Sequence, residues 1–291
     1  MLAMRLKHRL LLIPILSALA VASVSCGAEH RDDVIRIGVN DVPLPHWDVY
    51  KKKAAEQGIA VEYVNFTDYN QPNPALAQRR IDLNKFQHVR YLANYNARNN
   101  DTLVPIGATE IFPLALYSRK HKSVTDIPQG GQITLSNNPA NQVRPLLSLA
   151  AAGLIVLRGN AGWDSKLEDV DTAASKVRLT PIDPTLTAQS LSSVDAAFVD
   201  DTFARPAGLT KNETIYTDDP ERPELKQYIN IFAARGADKD NPTLLKLARL
   251  YHDPEVEAAV RAETGYEGIF KNNDPADLQA AAAELAAKFR K

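Results

Sequence analysis

From Val34 onward the apolar positions switch repeatedly between the alternation of a strand and the three-to-four spacing of a helix. The run "VIRIGVN" is short and β-branched and predicts a strand, and "HWDVYKKKAAEQG" predicts a helix closed by Gly58. "IAVEYVNF" alternates as a half-buried strand does, and "DYNQPN" after it is a turn-rich loop. "PALAQRRI" and "FQHVRYLANYNARN" read as helices, "LVPIGAT" and "FPLALYS" as strands. A second unit of the same kind follows "VTDIPQGG". There "QITLS" is a strand, "NNPAN" a loop, and the apolar run to Ala152 a helix stopped by Gly153. "VRLTPI", "VDAAFV" and "YINIFAAR" supply further strands, and the tail from Pro242 is helical. Its last helix opens on Asp274 and Pro275 and ends in basic residues. Strands separated by helices predict an α/β fold, parallel sheet with helices on its faces.

A chain of 291 residues is long enough for two such domains, each with its own core. Crossings are expected near Tyr117–Lys122 and near Leu225–Tyr228. Residues 34–118 and 229–291 then form one discontinuous lobe, and residues 119–228 the other. Two crossings make a hinge, and the cleft between lobes is the natural ligand site.

The first 25 residues break the pattern. Arg5, Lys7, His8 and Arg9 precede "LLLIPILSALAVASVS" with no acidic residue, the layout of a secretory signal. A bilayer span needs about twenty apolar residues, and Pro14 and the serines shorten this run. The chain's one cysteine, Cys26, sits where such a signal is cut, so it has no disulfide partner within the chain. "SVSC" with Gly27 resembles a bacterial lipobox, with Ser23 where a larger aliphatic residue is usual. That resemblance implies a cysteine carrying lipid (diacylglycerol and a further acyl chain such as palmitate), followed by a tether over residues 26–33. Removing residues 1–25 moves the formal net charge from −1 to about −4. A mildly acidic product without a basic stripe argues against nucleic acid.

Catalytic signals are weak. None of the six histidines shows HxxxH spacing, and GxSxG, P-loop and GxGxxG motifs do not occur. Neither metal nor cofactor is expected, and an enzyme is the lesser reading. The chemistry that stands out is "DLNKFQHVRYL", where Phe86, His88 and Tyr91 crowd together. By themselves such rings read as core. Arg144, at the predicted start of a helix after "NNPAN", is a candidate anion binder, since helix N-termini and guanidinium forks both donate to carboxylates.

These residues belong to blocks that resemble the NlpA family of bacterial lipoproteins, typified by methionine-binding components of ABC importers. The blocks are "FTDYNQPNPAL", "IDLNKFQHVRYL", "LALYSRK", "NNPANQVRPLL" with "AAGLI", "VDAAFV" with "FA", and "YINIFAAR", in order from about Ile35 to the C-terminus. The resemblance implies a two-lobed, type II-like periplasmic-binding-protein fold that closes on a free amino acid. It implies that Arg144 and Asn141 meet the ligand carboxylate, and that Asn230 and Asp200 accept from its ammonium. Tyr69, Phe86, His88 and Tyr91 would form an aromatic wall for a thioether. It further implies an ABC permease and ATPase as partners and a lipid-anchored, extracytoplasmic location. Four features depart from the family pattern: Asp200 stands where asparagine is usual, "NNPAN" replaces an Asn-Asp-Pro form, Pro145 follows Arg144 where a better helix former is expected, and arginines in "AQRRID" replace glycine. The alternatives left open are another amino acid, a methionine-containing dipeptide or a methionine derivative as solute, and a surface lipoprotein that binds none.

Overall fold

The computed structural model describes residues 34–159, 162–263 and 265–290. The expected signal, Cys26 and the tether lie outside the described residues. The first lobe opens with β1 (Val34–Val39), α1 (His46–Glu56), β2 (Ala60–Asn65) and α2 (Pro72–Ala77). It continues with β3 (Leu83–His88), α3 (Val89–Asn99), β4 (Leu103–Ala108) and the short β5 (Glu110–Ile111). The second lobe holds β6 (Ala115–Tyr117), β7 (Gly131–Ser136), α4 (Val143–Ala151) and β8 (Val177–Ile182). It ends with α5 (Thr187–Ser190), β9 (Ala196–Phe198), α6 (Asp201–Ala204) and β10 (Thr214–Thr217). The chain then returns through β11 (Asn230–Arg235), α7 (Pro242–Leu250), α8 (Pro254–Arg261), β12 (Ile269–Phe270) and α9 (Pro275–Phe289).

Two five-stranded sheets result, ordered β2-β1-β3-β11-β4 and β10-β6-β9-β7-β8. β1 runs parallel to β2 and β3, and β7 parallel to β8 and β9. β11 is antiparallel to both its neighbours, and so is β6. These are the two strands on which the chain arrives from the other lobe. A strand entering from the cleft starts at the edge where the parallel strands end, so it must run the opposite way. The carboxyl ends of β1, β3 and β9 therefore meet the amino ends of β6 and β11 at one cleft, the usual ligand position in open α/β sheets.

Each sheet is covered on both faces. Trp47 and Tyr50 of α1 pack with Phe232, Leu247 and Tyr251 on one face of the first sheet. Leu76, Leu92 and Leu278 cover the other from α2, α3 and α9. In the second sheet Leu146 and Leu149 of α4 pack on Ile133 and Leu135, with Ala188, Leu191 and Ala204 opposite. Each large buried side chain contributes about 1.5–3 kcal/mol. The polar tips of Trp47 and Tyr50 are satisfied: Trp47 Nε1 donates to Asp41 Oδ1 at 2.8 Å and the Tyr50 hydroxyl to the Leu247 carbonyl at 2.7 Å.

Three local expectations change. The predicted helix from Phe86 begins only at Val89, because Leu83–His88 pairs as a strand with β1 and β11. His88 is extended and caps α3, its Nδ1 accepting from the Tyr91 N–H at 3.0 Å. "FPLALYS" forms a strand only over Ala115–Tyr117. Ile111 is buried in the first lobe's core and Leu116 in the second's, so the chain crosses at Phe112–Leu114, before the expected Tyr117–Lys122. β10, in the polar stretch around "TIYT", is an edge strand that the pattern did not predict.

A buried amide network ties the first turn of α2 to β3. Asn73 Nδ2 donates to Gln87 Oε1 at 2.8 Å, and Asn73 Oδ1 accepts from Asn84 Nδ2 at 3.0 Å and Gln87 Nε2 at 2.6 Å. Gln87 also donates to Asn84 Oδ1 at 2.9 Å. Asn73→Ala strands donors on both partners, so the expected loss is about 2–4 kcal/mol of unfolding free energy, read by urea denaturation. A loss of only a few tenths would show that the network is not structural.

Candidate ligand-binding cleft

A cavity of about 130 Å³ opens between the lobes. It is close in size to the ~150 Å³ engineered cavity that admits benzene, so it suits one small solute. All eight residues expected to bind ligand line it. From the first lobe come Tyr69 on the loop before α2, Phe86 and His88 at the end of β3, Tyr91 in α3, and Asn230 at the start of β11. From the second come Asn141, Arg144 in the first turn of α4, and Asp200 just after β9.

The rings form a continuous wall. Phe86 and Tyr91 meet edge-on with centroids 5.7 Å apart, Tyr69 lies 6.1 Å from each, and Tyr69 reaches Phe203 of the second lobe at 5.1 Å. The Tyr91 hydroxyl donates to the Tyr69 carbonyl at 2.9 Å, which leaves its ring free to face the cavity. His88 packs on Tyr228 at 4.8 Å, a cavity residue that the sequence reading missed.

A polar relay runs from one lobe to the other. With Nδ1 of His88 accepting a backbone N–H, the neutral ring carries its proton on Nε2, which lies 3.1 Å from Asn141 Oδ1. Asn141 Nδ2 faces Asp200 Oδ2 at 3.5 Å. Burial pushes the Asp200 carboxyl above its ordinary range, while Arg144 and hydrogen bonds from Tyr69 and Asn141 pull the other way.

Arg144 does not stand as a free fork. Its Nε donates to Asp218 Oδ2 at 2.6 Å, and its Nη2 to Asp218 Oδ1 at 2.7 Å and to the Phe112 carbonyl at 2.9 Å. Its guanidinium carbon lies 5.2 Å from the Tyr228 ring. Among the described residues Nη1 has no hydrogen-bond partner, so that nitrogen is the donor left for a ligand. Asp218, 74 residues from Arg144, carried no sequence signal because it sits in the acidic, turn-rich run after β10.

The family model described as NlpA lipoprotein matches residues 35–272. The chain belongs to the NlpA lipoprotein family. The D-methionine-binding lipoprotein MetQ of Yersinia pestis is 34% identical over 249 residues, covering 83% of this chain and 90% of that protein. A nutrient binding protein from Burkholderia cenocepacia, solved bound to methionine, superposes with a TM-score of 0.75 at 32% identity, over 81% of this chain and 99% of that one. The substrate binding protein of a methionine transporter from Streptococcus pneumoniae gives 0.76 at 32% identity, over 82% and 95%.

This NlpA lipoprotein also lines its cleft with charges that the sequence reading did not single out: Asp41, Lys85, Glu110, Asp201 and Arg205. They come from four separate segments, and only Asp201 and Arg205, four residues apart, are neighbours in sequence. Among the described residues no cluster of three or more histidines, cysteines or carboxylates could hold a metal ion.

Burial, with Arg144 and Arg90 nearby, lowers the His88 pKa to about 3, despite the opposing hydrogen bond to Asn141. An unfolded chain protonates the same ring near pH 6.5. Between those values the unfolded state binds more protons, so the share of stability from a neutral His88 is complete above about 6.5 and falls as pH drops. NMR titration is expected to show the His88 ring still neutral at about pH 5. Titration near 6.5 would contradict the relay.

Proposed function

We propose that this NlpA lipoprotein is the substrate-binding component of an ABC importer, capturing methionine or a related α-amino acid by closure of its two lobes. The observation that carries the reading is the convergence of Arg144, Asp200, Asn141 and Asn230 with four rings on one small inter-lobe cavity. A zwitterion needs a donor for its carboxylate, acceptors for its ammonium and shaped space for its tail. Arg144 Nη1 and the Asn141 amide serve the carboxylate, and Asp200 and the Asn230 carbonyl group of its amide serve the ammonium. The ring wall serves the tail. Sulfur–ring contacts contribute about 0.3–1.5 kcal/mol each, and burying the tail roughly 1.5–3 kcal/mol more.

Closure follows from the two crossings. Residues 112–114 and the stretch from Asp218 to Ile229 act as the hinge between a lobe of residues 34–111 with 230–290 and a lobe of residues 115–217. Contacts made from both lobes exist only when they meet, so a solute that makes them shifts the balance toward the closed form. The closed form then docks on a membrane permease driven by an ATPase. The solved relatives described as bound to methionine and as part of a methionine transporter support this role, as does binding rather than catalysis in the relatives' names. Lipid on Cys26 would hold the protein at the outer face of the membrane. That anchor accords with the family's name and with the described residues, where no helix is long and apolar enough to cross a bilayer.

Calorimetry with L- and D-methionine tests the reading, with saturable one-to-one binding as the expected result. Absence of binding by methionine and every other free amino acid would overturn it. The charged acceptor at Asp200 is expected to favour a free ammonium: Asp200→Asn should shrink the preference for methionine over N-acetylmethionine by about tenfold. An unaltered ratio would remove Asp200 from ammonium recognition.

A further inference from the structure

A second group of charges lines the same cavity, and an amino-acid head does not need it. Asp41, Lys85 and Glu110 belong to the first lobe and Asp201 and Arg205 to the second. Glu110 is 1% exposed, and Lys85 Nζ approaches its Oε1 to 2.9 Å. Lys85 and the Tyr251 hydroxyl are the described donors beside Glu110, two groups for a carboxylate with room for more. Lys85 is shared with two ring faces, 5.1 Å from Tyr251 and 5.9 Å from Trp47. Arg205 is committed to Asp201 at 2.8 Å and, across the lobes, to Glu263, which also meets His46.

Three cavity carboxylates thus face two cations, and both cations have other partners. A carboxylate offers about four acceptor positions, and a buried one left short of donors is strongly disfavoured. The imbalance shows at Asp201, whose carboxyl is pushed up to about 6 by burial although Arg205 opposes the shift. Phe86 and Phe112 line the cavity beside Lys85 and Glu110. Rings of this kind accept an alkyl stem and also favour a cation over their faces.

We propose that Glu110, Asp41 and Asp201 form a second subsite for a positively charged N–H donor on the tail of the bound amino acid, so that basic amino acids are preferred solutes. The assignment rests on the reading that the cleft holds an amino acid, and it names the tail. Donors from the solute would fill the remaining acceptor positions of Glu110 and balance the excess negative charge. An apolar tail would leave those positions unfilled in a closed cleft.

The test is calorimetry on the purified protein, freed of retained solute by dialysis, with L-lysine, L-arginine, L-methionine and L-norleucine. Lysine or arginine is expected to bind at least about tenfold more tightly than norleucine, the uncharged chain of similar length. Glu110→Gln, checked for folding by its melting curve, is expected to narrow that ratio. Methionine or norleucine binding as tightly as both basic amino acids would overturn the subsite while leaving the amino-acid reading in place. No binding by any of the four would remove both. Should the variant fail to fold, the wild-type ranking decides alone.

Discussion

The bidentate pair of Arg144 and Asp218 is the constraint from which the cleft is built. It joins the first turn of α4 to the segment after β10, and both partners also hold the crossing strand. Arg144 Nη2 donates to the Phe112 carbonyl, and Asp218 Oδ1 accepts from the Leu114 N–H at 2.8 Å. A buried ion pair adds little net stability, because desolvation offsets its attraction, but losing one partner costs about 3–5 kcal/mol. The pair therefore does its work by fixing position. It holds a cation at the mouth of the crossing with one nitrogen uncommitted, and it couples that cation to the crossing backbone.

Around this cation the other polar groups fall into a consistent order. The relay from His88 through Asn141 to Asp200 spans the gap between lobes, with a neutral ring on the first side and an amide and a carboxylate on the second. Keeping His88 uncharged removes a competing cation beside Arg144. The rings complete the enclosure, with Tyr69 and Phe203 meeting across the lobes. On the proposed reading, closure would replace water with fixed dipoles and ring faces, and only a solute that supplies the missing charges would make the exchange favourable.

Much of this was legible in the sequence, for physical reasons. Strands such as Val34–Val39 and the helix opened by Asp274 and Pro275 are specified by local period and capping, and Asp274 does accept from the Ala276 N–H at 2.7 Å. Family-like blocks carried the eight cleft residues, because binding loops at strand ends are continuous in sequence. What escaped depends on contacts between distant segments. His88 reads as the inside of a helix until its strand partners are known. β10 is stabilised as a strand only by β6, and Asp218 gains meaning only from Arg144. The pairing of Lys85 with Glu110 and of Arg205 with Glu263 is likewise tertiary.

A crystal structure of the protein with its retained solute tests the central claim most directly. The account predicts a solute carboxylate within hydrogen-bonding distance of Arg144 Nη1, with its amine facing Asp200 and its tail against Phe86 and Tyr91. A solute seated elsewhere, or an Arg144 side chain released from Asp218 and turned to bulk water, would contradict it.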